Sequence, residues 1–583
     1  MSAMEPRYID YYFRDFISRI APDSSIELLE VMVELSRALA QQHSCLDLAS
    51  RQNKKQLMEE LRKLELIDST NSPLSLYKEK LYLTRYYHYE KTIVEQITSF
   101  NRALAVTDQK TLSTALHQRY QPDKEIDWQQ VATLQALTRQ LTIITGGPGT
   151  GKTTTVATII DLLRELATTT LQIRLAAPTG KAAMRLSQSL SNTDDDNLRV
   201  QTLHRLLGVR RDGRSFRFSA DNPIACDVLI VDEASMIDLP MMYRLLTALP
   251  DHCRLILVGD PDQLPSVEMG NVLADLCSPS AGYSDALIDL SKEVLDITLP
   301  RNEVSHPLND AICRLMISHR FSPSKGIGRI AQHIIEQKPE LPVEDDEIAV
   351  SDPQSLMSGD RSSLLLAHYQ EYVELLRSSE TDPIVLSQAF ERVRLLSPMR
   401  DGDLGVKDLN DTIEQELEQQ GLKTPFNDFY HGRPILVLRN DYNLQLYNGD
   451  VGICIEGDDL QHPMVAFPTV SDNAEGDARL LLASRLPPHE TCFAMTVHKS
   501  QGSEFDSVTL ILPALLTDST EQLLSKELLY TAVTRARSQV TLYCTQPVWQ
   551  HCASTSEPRV SGLSDFLATG GPDSTTNKQL SLF

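Results

Sequence analysis

The stretch "TIITGGPGTGKTTTVATII", residues 142–160, changes character twice. It opens with apolar and hydroxyl residues suited to a buried strand, crosses four glycines and a proline, and resumes an apolar pattern at helical spacing. A strand-to-helix junction needs so much backbone freedom when successive N–H groups must turn toward one anionic guest. The spacing G-x-x-x-x-G-K-[ST] is met by Gly146, Gly151, Lys152 and Thr153. It predicts a phosphate cradle built by Gly146, Gly147, Pro148, Gly149, Thr150, Gly151, Lys152, Thr153 and Thr154. In that reading Lys152 reaches the β- and γ-phosphates of ATP and Thr153 ligates Mg²⁺.

Such a site needs a carboxylate at the end of a neighbouring strand. "VLIVDEAS" supplies one after four apolar residues: Asp232 is expected to hold Mg²⁺ and Glu233 to orient and deprotonate the attacking water. The pair defines an NTPase and no more. A guanine-reading N/T-K-x-D is absent, which argues against a GTPase.

Working outward, the texture around the loop is a series of short apolar runs, each followed by a turn and a helical pattern: "LTIIT", "QIRLAAPT", "DVLIVDE" and "CRLILVGD". That alternation predicts an α/β fold of parallel strands with crossover helices from about residue 119. Before it, 1–118 reads as a helical N-terminal domain, with Leu28, Leu29, Val31, Met32, Leu35 and Leu39 as an apolar stripe. Residues 119–310 form the first α/β domain, with a short hairpin at 209–224. Residues 311–425 and 491–553 form the second, and 426–490, rich in β-like pieces and an Asn-Gly turn, reads as an inserted small β-barrel. The acidic 338–362 is read as an exposed linker, and 554–583 as a flexible C-terminal tail.

Composition sets outer bounds. A chain of 583 residues divides into roughly three to five domains. With 41% hydrophobic and 23% charged residues, no long apolar span and no signal-like start, it is expected in the cytoplasm. Its nine cysteines are scattered without a CxxC pair, which argues against disulfide, zinc-finger and iron–sulfur schemes and leaves them as small core residues. A net charge of −24 argues against a basic nucleic-acid coat protein but leaves room for a locally basic groove.

Further motifs follow in order: "APTGKAAMRL", "TLHRLLG", "VGDPDQLPSV", "AMTVHKSQGSEFDSV" and "LYTAVTRAR". Gln263 falls where it could sense the γ-phosphate. Thr179, Lys181 and His204 fall just beyond strand ends, where backbone and side-chain donors can grip a nucleic-acid strand. Together with the phosphate loop and "VDEASM", this set resembles the motif ladder of superfamily 1 helicases moving 5′→3′ on single-stranded DNA, and within them the RecD family.

The resemblance implies two RecA-like P-loop NTPase domains, an SH3-like barrel for the insert, and roles for further residues. Gln129 would read the adenine edge. Arg320 and Arg535 would be arginine fingers brought from the second RecA-like domain across the cleft. Thr496, His498, Lys499, Ser500, Gln501 and Gly502 fit the motif that contacts DNA and couples it to hydrolysis, with Glu504 holding its loop. Phe216 and Phe218 of the hairpin are candidates to meet the DNA fork, the alternative being that the hairpin simply packs on its domain. Where the family usually carries an aromatic, this chain has His319, which puts ring stacking there in doubt.

The resemblance also implies RecB-like and RecC-like partners in a heterotrimer acting at duplex DNA ends in double-strand break repair by homologous recombination, as in the exodeoxyribonuclease V enzyme. The element "QQHSCLDLAS" and the short region before the motor favour this subunit reading over a stand-alone RecD-like helicase. The sequence holds no convincing nuclease site. An inactive scaffold would need a broken phosphate loop or lost fingers, and an RNA helicase fits the motifs less well.

Overall fold

The computed structural model describes residues 6–569 apart from 65, 68–71, 106–107, 121–125, 191–197, 199, 211–214, 278–281, 302–305, 442, 456–461, 470–476 and 557–558. Two parallel sheets organise the motor. The first has six strands in the spatial order Val200–Thr202, Ile173–Ala177, Val228–Val231, Arg254–Gly259, Leu141–Gly146 and Ile312–Leu315. Leu141–Gly146 is buried along its whole length. A central parallel strand is covered on both faces, so its sequence shows no polar alternation. On one face lie helices Trp128–Thr138 and Lys152–Leu166, packed through Val131, Ala132, Ile159 and Ile160. On the other, Ile143 and its ladder partner Leu257 join Leu255 in a core with Met242 and Leu245 of helix Leu239–Thr247.

The second sheet has five parallel strands in the order Ile348–Ser351, Ala536–Tyr543, Phe505–Ile511, Val393–Ser397 and Ala494–Thr496. Helices Gly326–Ile335, Lys526–Val533 and Gln546–Ser554 cover one face around Trp549. Helix Val406–Gln419 covers the other around Tyr369, Phe390 and Phe493.

Two expectations shift here. Ile312–Leu315 pairs with Leu141–Gly146, so residues just past 310 still belong to the first lobe and the crossing begins after Leu315. The segment 338–362, read as an exposed linker, supplies the edge strand Ile348–Ser351. A four-residue edge strand needs one ladder partner and little apolar content, so acidic flanks hide it.

Between the strands of the second lobe, an antiparallel five-stranded sheet runs in the order Asp477–Leu482, Met464–Thr469, Val451–Ile455, Pro434–Val437 and His489–Thr491. It has its own small core of Ile435, Val437, Leu446, Cys454, Val465 and Phe467.

The N-terminal region contains helices Tyr8–Ile20, Ile26–Ala40, Lys54–Lys63, Thr84–Phe100 and Gln109–Arg119. Leu28, Val31, Met32 and Leu35 are buried, and Leu29 and Leu39 are half-buried against them. A small antiparallel sheet of Leu46–Asp47, Lys80–Leu83 and Leu74–Tyr77 lies among these helices, which helical periodicity alone did not predict.

The C-terminal segment departs from the expected loose tail as far as residue 569. Helix Leu563–Ala568 buries Leu563, Phe566 and Leu567 against the first lobe's core, and Phe566 stacks on Tyr77 at 4.0 Å. Its apolar triplet is too short to carry a periodic signal. All nine cysteines are free and eight are buried. Among the described residues no helix is long and apolar enough to cross a membrane.

Candidate functional site

A cleft of about 770 Å³ lies between the two lobes. Its walls bring together Gln129, Lys152, Thr153, Asp232, Glu233 and Gln263 from the first lobe with Arg320, Glu504 and Arg535. These positions are spread over some four hundred residues of chain. Gly149, Gly151, Pro148 and Thr154 of the loop line it too.

The loop's glycines are required at two points. Gly149 and Gly151 have φ of +76° and +83°, in the left-handed region. A β-carbon at Gly149 would sit 2.3 Å from the Cβ of Arg320, and one at Gly151 would sit 2.2 Å from Nε2 of Gln129. The Lys152 ammonium donates to the carbonyls of Gly146 and Gly147 at 2.6 and 2.9 Å. Thr150 is buried, its hydroxyl donating to Gly147 O at 2.8 Å.

Gln129 is positioned by Asp127, which caps helix Trp128–Thr138 by accepting from Gln129 N at 2.9 Å. Its amide donates to Thr150 O at 3.2 Å and lies 3.0 Å from Nε2 of His319. His319 N in turn donates to Gly149 O at 2.8 Å, so the position where an aromatic was expected is tied to the loop through the backbone.

Asp232 and Glu233 follow the buried strand Val228–Val231. Glu233 has φ +52°, a left-handed conformation that costs a residue with a side chain roughly 1–2 kcal/mol. Asp232 accepts from Glu233 N at 2.9 Å, and burial followed by the neighbouring Glu233 charge pushes its carboxyl up to about 6. Asp260, at the end of the next strand, is likewise pushed up to about 6 by burial. Gln263 donates to it at 3.1 Å.

The second lobe reaches in through helix Lys526–Val533 and the loop after it. Tyr530 donates to Asp260 at 3.1 Å, and Leu264 N donates to Thr531 Oγ1 at 2.7 Å. Gln501 donates to Leu264 O at 2.9 Å. Arg535 is buried, donating to Thr531 O and Ser503 O at 3.2 and 3.1 Å, and burial pulls its pKa below the usual arginine range.

Arg320 lies on the segment that leaves the first sheet, between Ile312–Leu315 and Gly326–Ile335, and not within the second sheet's strands. Its guanidinium pairs with Glu504 at 2.9 Å. Glu504 also pairs with Arg185 of helix Gly180–Leu190 and with Arg537 at 3.3 Å. Burial acts to raise the Glu504 carboxyl, but Arg185 and then Arg320 outweigh it and hold it down at about 2.

Of the expected DNA-facing residues, Thr179 and Lys181 stand at the seam of the lobes, and the others contact their own lobe. Thr179 accepts from Ala182 N at 3.2 Å at the start of helix Gly180–Leu190. A β-carbon at Gly502 would lie 3.8 Å from Thr179 Oγ1, so the two motifs meet. Thr496 accepts from Lys499 N at 3.4 Å, and Lys499 pairs with Glu490 at 2.5 Å. His498–Ser500 forms a single short turn after Thr496.

Lys181 is half-buried, its ammonium 6.0 Å from the Phe505 ring centre, and burial lowers its pKa. It also lines a second cavity of about 400 Å³ with Arg205, Tyr447 and Arg479, where the antiparallel sheet meets the first lobe. His204 is exposed, its ring 6.0 Å from that of Phe216. Phe216 and Phe218 are half-buried against the first lobe's core, Phe216 beneath Arg244 at 4.5 Å. The hairpin's aromatics therefore pack on their domain and do not stand free; residues 211–214 lie outside the described residues.

Sequence reasoning passed over Arg185, Asp260 and Tyr530. All three stand inside quoted motifs, and helical spacing could have placed Arg185 one turn after Lys181. Nothing local to the sequence marks Tyr530 as facing Asp260.

The fold and cleft define a two-lobed P-loop NTPase of the helicase class. Family models match residues 129–269 as an AAA domain, 491–543 as a UvrD-like helicase C-terminal domain, and 6–67 as the N-terminal domain of RecBCD enzyme subunit RecD. The chain is 35% identical to RecBCD enzyme subunit RecD of Haemophilus influenzae, over 85% of this chain and 81% of that one. It is 34% identical to the subunit of the same name from Mycolicibacterium smegmatis, over 97% and 98%. The ATP-dependent RecD2 DNA helicase of Deinococcus radiodurans is 29% identical over 74% of this chain but only 51% of its own length.

The chain belongs to the RecD family. It is an ATP-dependent DNA helicase.

Proposed function

We propose that the chain is the 5′→3′ motor subunit of a RecBCD-type helicase-nuclease that processes double-stranded DNA ends for recombinational repair. The observation that carries this is the single cleft in which Lys152, Asp232, Glu233, Arg320 and Arg535 converge from two lobes. A triphosphate bound there touches both lobes at once, so its hydrolysis changes their separation.

Lys152 and the loop amides hold the phosphates, Gln129 takes the adenine edge, and Glu233 accepts the proton of the attacking water. Arg320 and Arg535 offset charge developing on the γ-phosphate, and Gln263 reports its presence. The Thr153 hydroxyl and Asp232 carboxylate, both lining the cleft, are a hard-oxygen donor set that suits Mg²⁺. That ion, when bound, supplies neutralisation of phosphate charge.

Thr179, Lys181, His204, Thr496, His498 and Lys499 serve the DNA strand along the seam. Residues 426–490 act as an SH3-like barrel beside it. Phe216 and Phe218 support the hairpin that meets the fork.

The N-terminal region docks on a RecC-like subunit, with a RecB-like subunit completing the heterotrimer and supplying nuclease action. Its first helix supports this reading: Tyr8, Tyr12, Phe16 and Ile20 recur every four residues and all are exposed. A contiguous apolar stripe on a water-facing helix is an interaction surface. The stand-alone alternative is disfavoured because residues 6–67 match the N-terminal domain of RecBCD enzyme subunit RecD, and the chain is 35% identical to that subunit from Haemophilus influenzae against 29% for the RecD2 helicase.

Purified full-length chain tests the motor. It should unwind duplexes with a 5′ single-stranded tail and leave 3′-tailed ones intact, and a 3′ preference overturns the polarity. Co-purification with two large subunits tests the assembly.

A further inference from the structure

Lys152 and Arg535 are tied to backbone carbonyls of their own lobe. Arg320 and Arg185 differ, because both are held by one carboxylate. Glu504 comes from the second lobe, Arg185 from helix Gly180–Leu190 of the first, and Arg320 from the segment joining them. One oxygen of Glu504 takes Arg185 and the other takes Arg320 at 2.9 Å, with Arg537 added at 3.3 Å. The Glu504 side chain is only 8% exposed, whereas those of Arg185 and Arg320 are 36% and 28% exposed and line the cleft.

A guanidinium pairs as readily with phosphate oxygens as with a carboxylate. The root of Arg320 lies against Gly149 of the phosphate loop, so turning from Glu504 to a phosphate there takes rotation of the side chain alone.

We propose that Glu504 is a positioning residue: it holds Arg320 and Arg185 off the nucleotide until the terminal phosphate oxygens take its place. It rests on the ATPase reading given above. The exchange of one anion for another makes engagement of Arg320 reversible, and it ties that engagement to the separation of the lobes, since Glu504 and Arg185 lie on opposite sides. With the lobes apart, Glu504 keeps Arg320 and hydrolysis is slow. DNA drawn into the seam beside Gly502 shifts the same loop that carries Glu504, releasing Arg320 to the phosphate.

The test is steady-state ATP hydrolysis by the full-length chain, without DNA and with saturating oligo(dT). Glu504→Gln removes the charge at constant shape. Its DNA-free kcat should rise roughly five- to tenfold and its KM for ATP fall, as expected when a charge-assisted hydrogen bond stops competing. Its rate with DNA should stay near wild type, so stimulation by DNA collapses. Glu504→Asp, which keeps the charge, should restore stimulation.

Arg185→Gln removes the cation that shares the Glu504 charge with Arg320, leaves Arg320 more tightly held, and should act in the opposite sense, lowering the DNA-free rate and raising KM. It carries the test by itself should Glu504→Gln not fold. Unchanged DNA-free kinetics in Glu504→Gln, or equal losses with and without DNA, overturn the proposal, as does an Arg185→Gln that moves in the same direction. A wild-type chain inert toward ATP with DNA present sinks the functional reading as well, whereas an active wild type with an indifferent Glu504→Gln sinks this proposal alone.

Discussion

The phenol of Tyr530 in the second lobe donates to the carboxylate of Asp260 in the first at 3.1 Å. Both groups are buried, so the bond fixes the lobes in a region where water cannot substitute for it. A β-carbon at Gly147 would lie 2.8 Å from the same phenol oxygen, so this contact abuts the phosphate loop. Tyr530→Phe should therefore loosen the interface at a cost of about 1–3 kcal/mol, the penalty for leaving a buried acceptor short of a donor. Thermal unfolding of the two proteins side by side measures it.

Asp260 itself adds a pH dependence. Its folded pKa of about 6 lies above the ordinary carboxyl value, and Asp232 is shifted the same way. Between about pH 4 and 6 the native state then holds more protons than the unfolded one, so these groups make stability fall as pH rises through that window. Asp260→Asn should remove its share, at most about 1.4 kcal/mol per pH unit for one group. Denaturant titrations at pH 4.5, 5.5 and 6.5 give the slope, and an unchanged slope in the variant contradicts the assignment.

Lys152→Gln takes away the ammonium that donates to Gly146 O and Gly147 O. DNA-stimulated phosphate release should drop by about a hundredfold or more, the loss typical of one preorganised electrostatic contact. Because the loop lies at the cleft surface, the melting temperature should hardly change.

Arg535→Ala combines two effects. It removes a charge from the cleft and takes the guanidinium donor from buried Ser503 O, while Thr531 O keeps only the Thr534 hydroxyl at 3.3 Å. Hydrolysis should fall by about a thousandfold, in the range of arginine fingers, while a fluorescent ATP analogue still binds. Stability should drop by about 1–3 kcal/mol. Wild-type turnover in this variant removes the finger role.

The C-terminal helix clamps the N-terminal region to the motor. Gly562 N donates to buried Glu90 at 2.9 Å, and Tyr82 donates to the same carboxylate at 3.0 Å. Phe566→Ala should cost about 3–5 kcal/mol, as for other buried aromatic truncations. Limited proteolysis should cut the N-terminal region faster in this variant than in the wild type, and equal rates contradict the clamp.

The motor strands and the first-lobe residues that line the cleft were legible because each rests on local order. A buried central strand, a glycine turn and a helix start lie within about twenty residues of one another, and Lys152, Asp232 and Gln263 each follow closely from a strand end. The edge strand Ile348–Ser351, the small N-terminal sheet and the helix Leu563–Ala568 were not legible. They are short, and long-range pairing or burial, not intrinsic pattern, holds them in place.

Residue types and spacing alone thus settled that this chain has a glycine-rich loop between a buried strand and a helix on an α/β scaffold, since backbone geometry within a few residues dictates that loop. Which charges meet was decided by folding: Glu504 between Arg185 and Arg320, Tyr530 upon Asp260, and Phe216 beneath Arg244. Those pairings join segments far apart in the chain, and Coulombic and hydrogen-bond energies depend on separations of a few ångströms that only the packed lobes set.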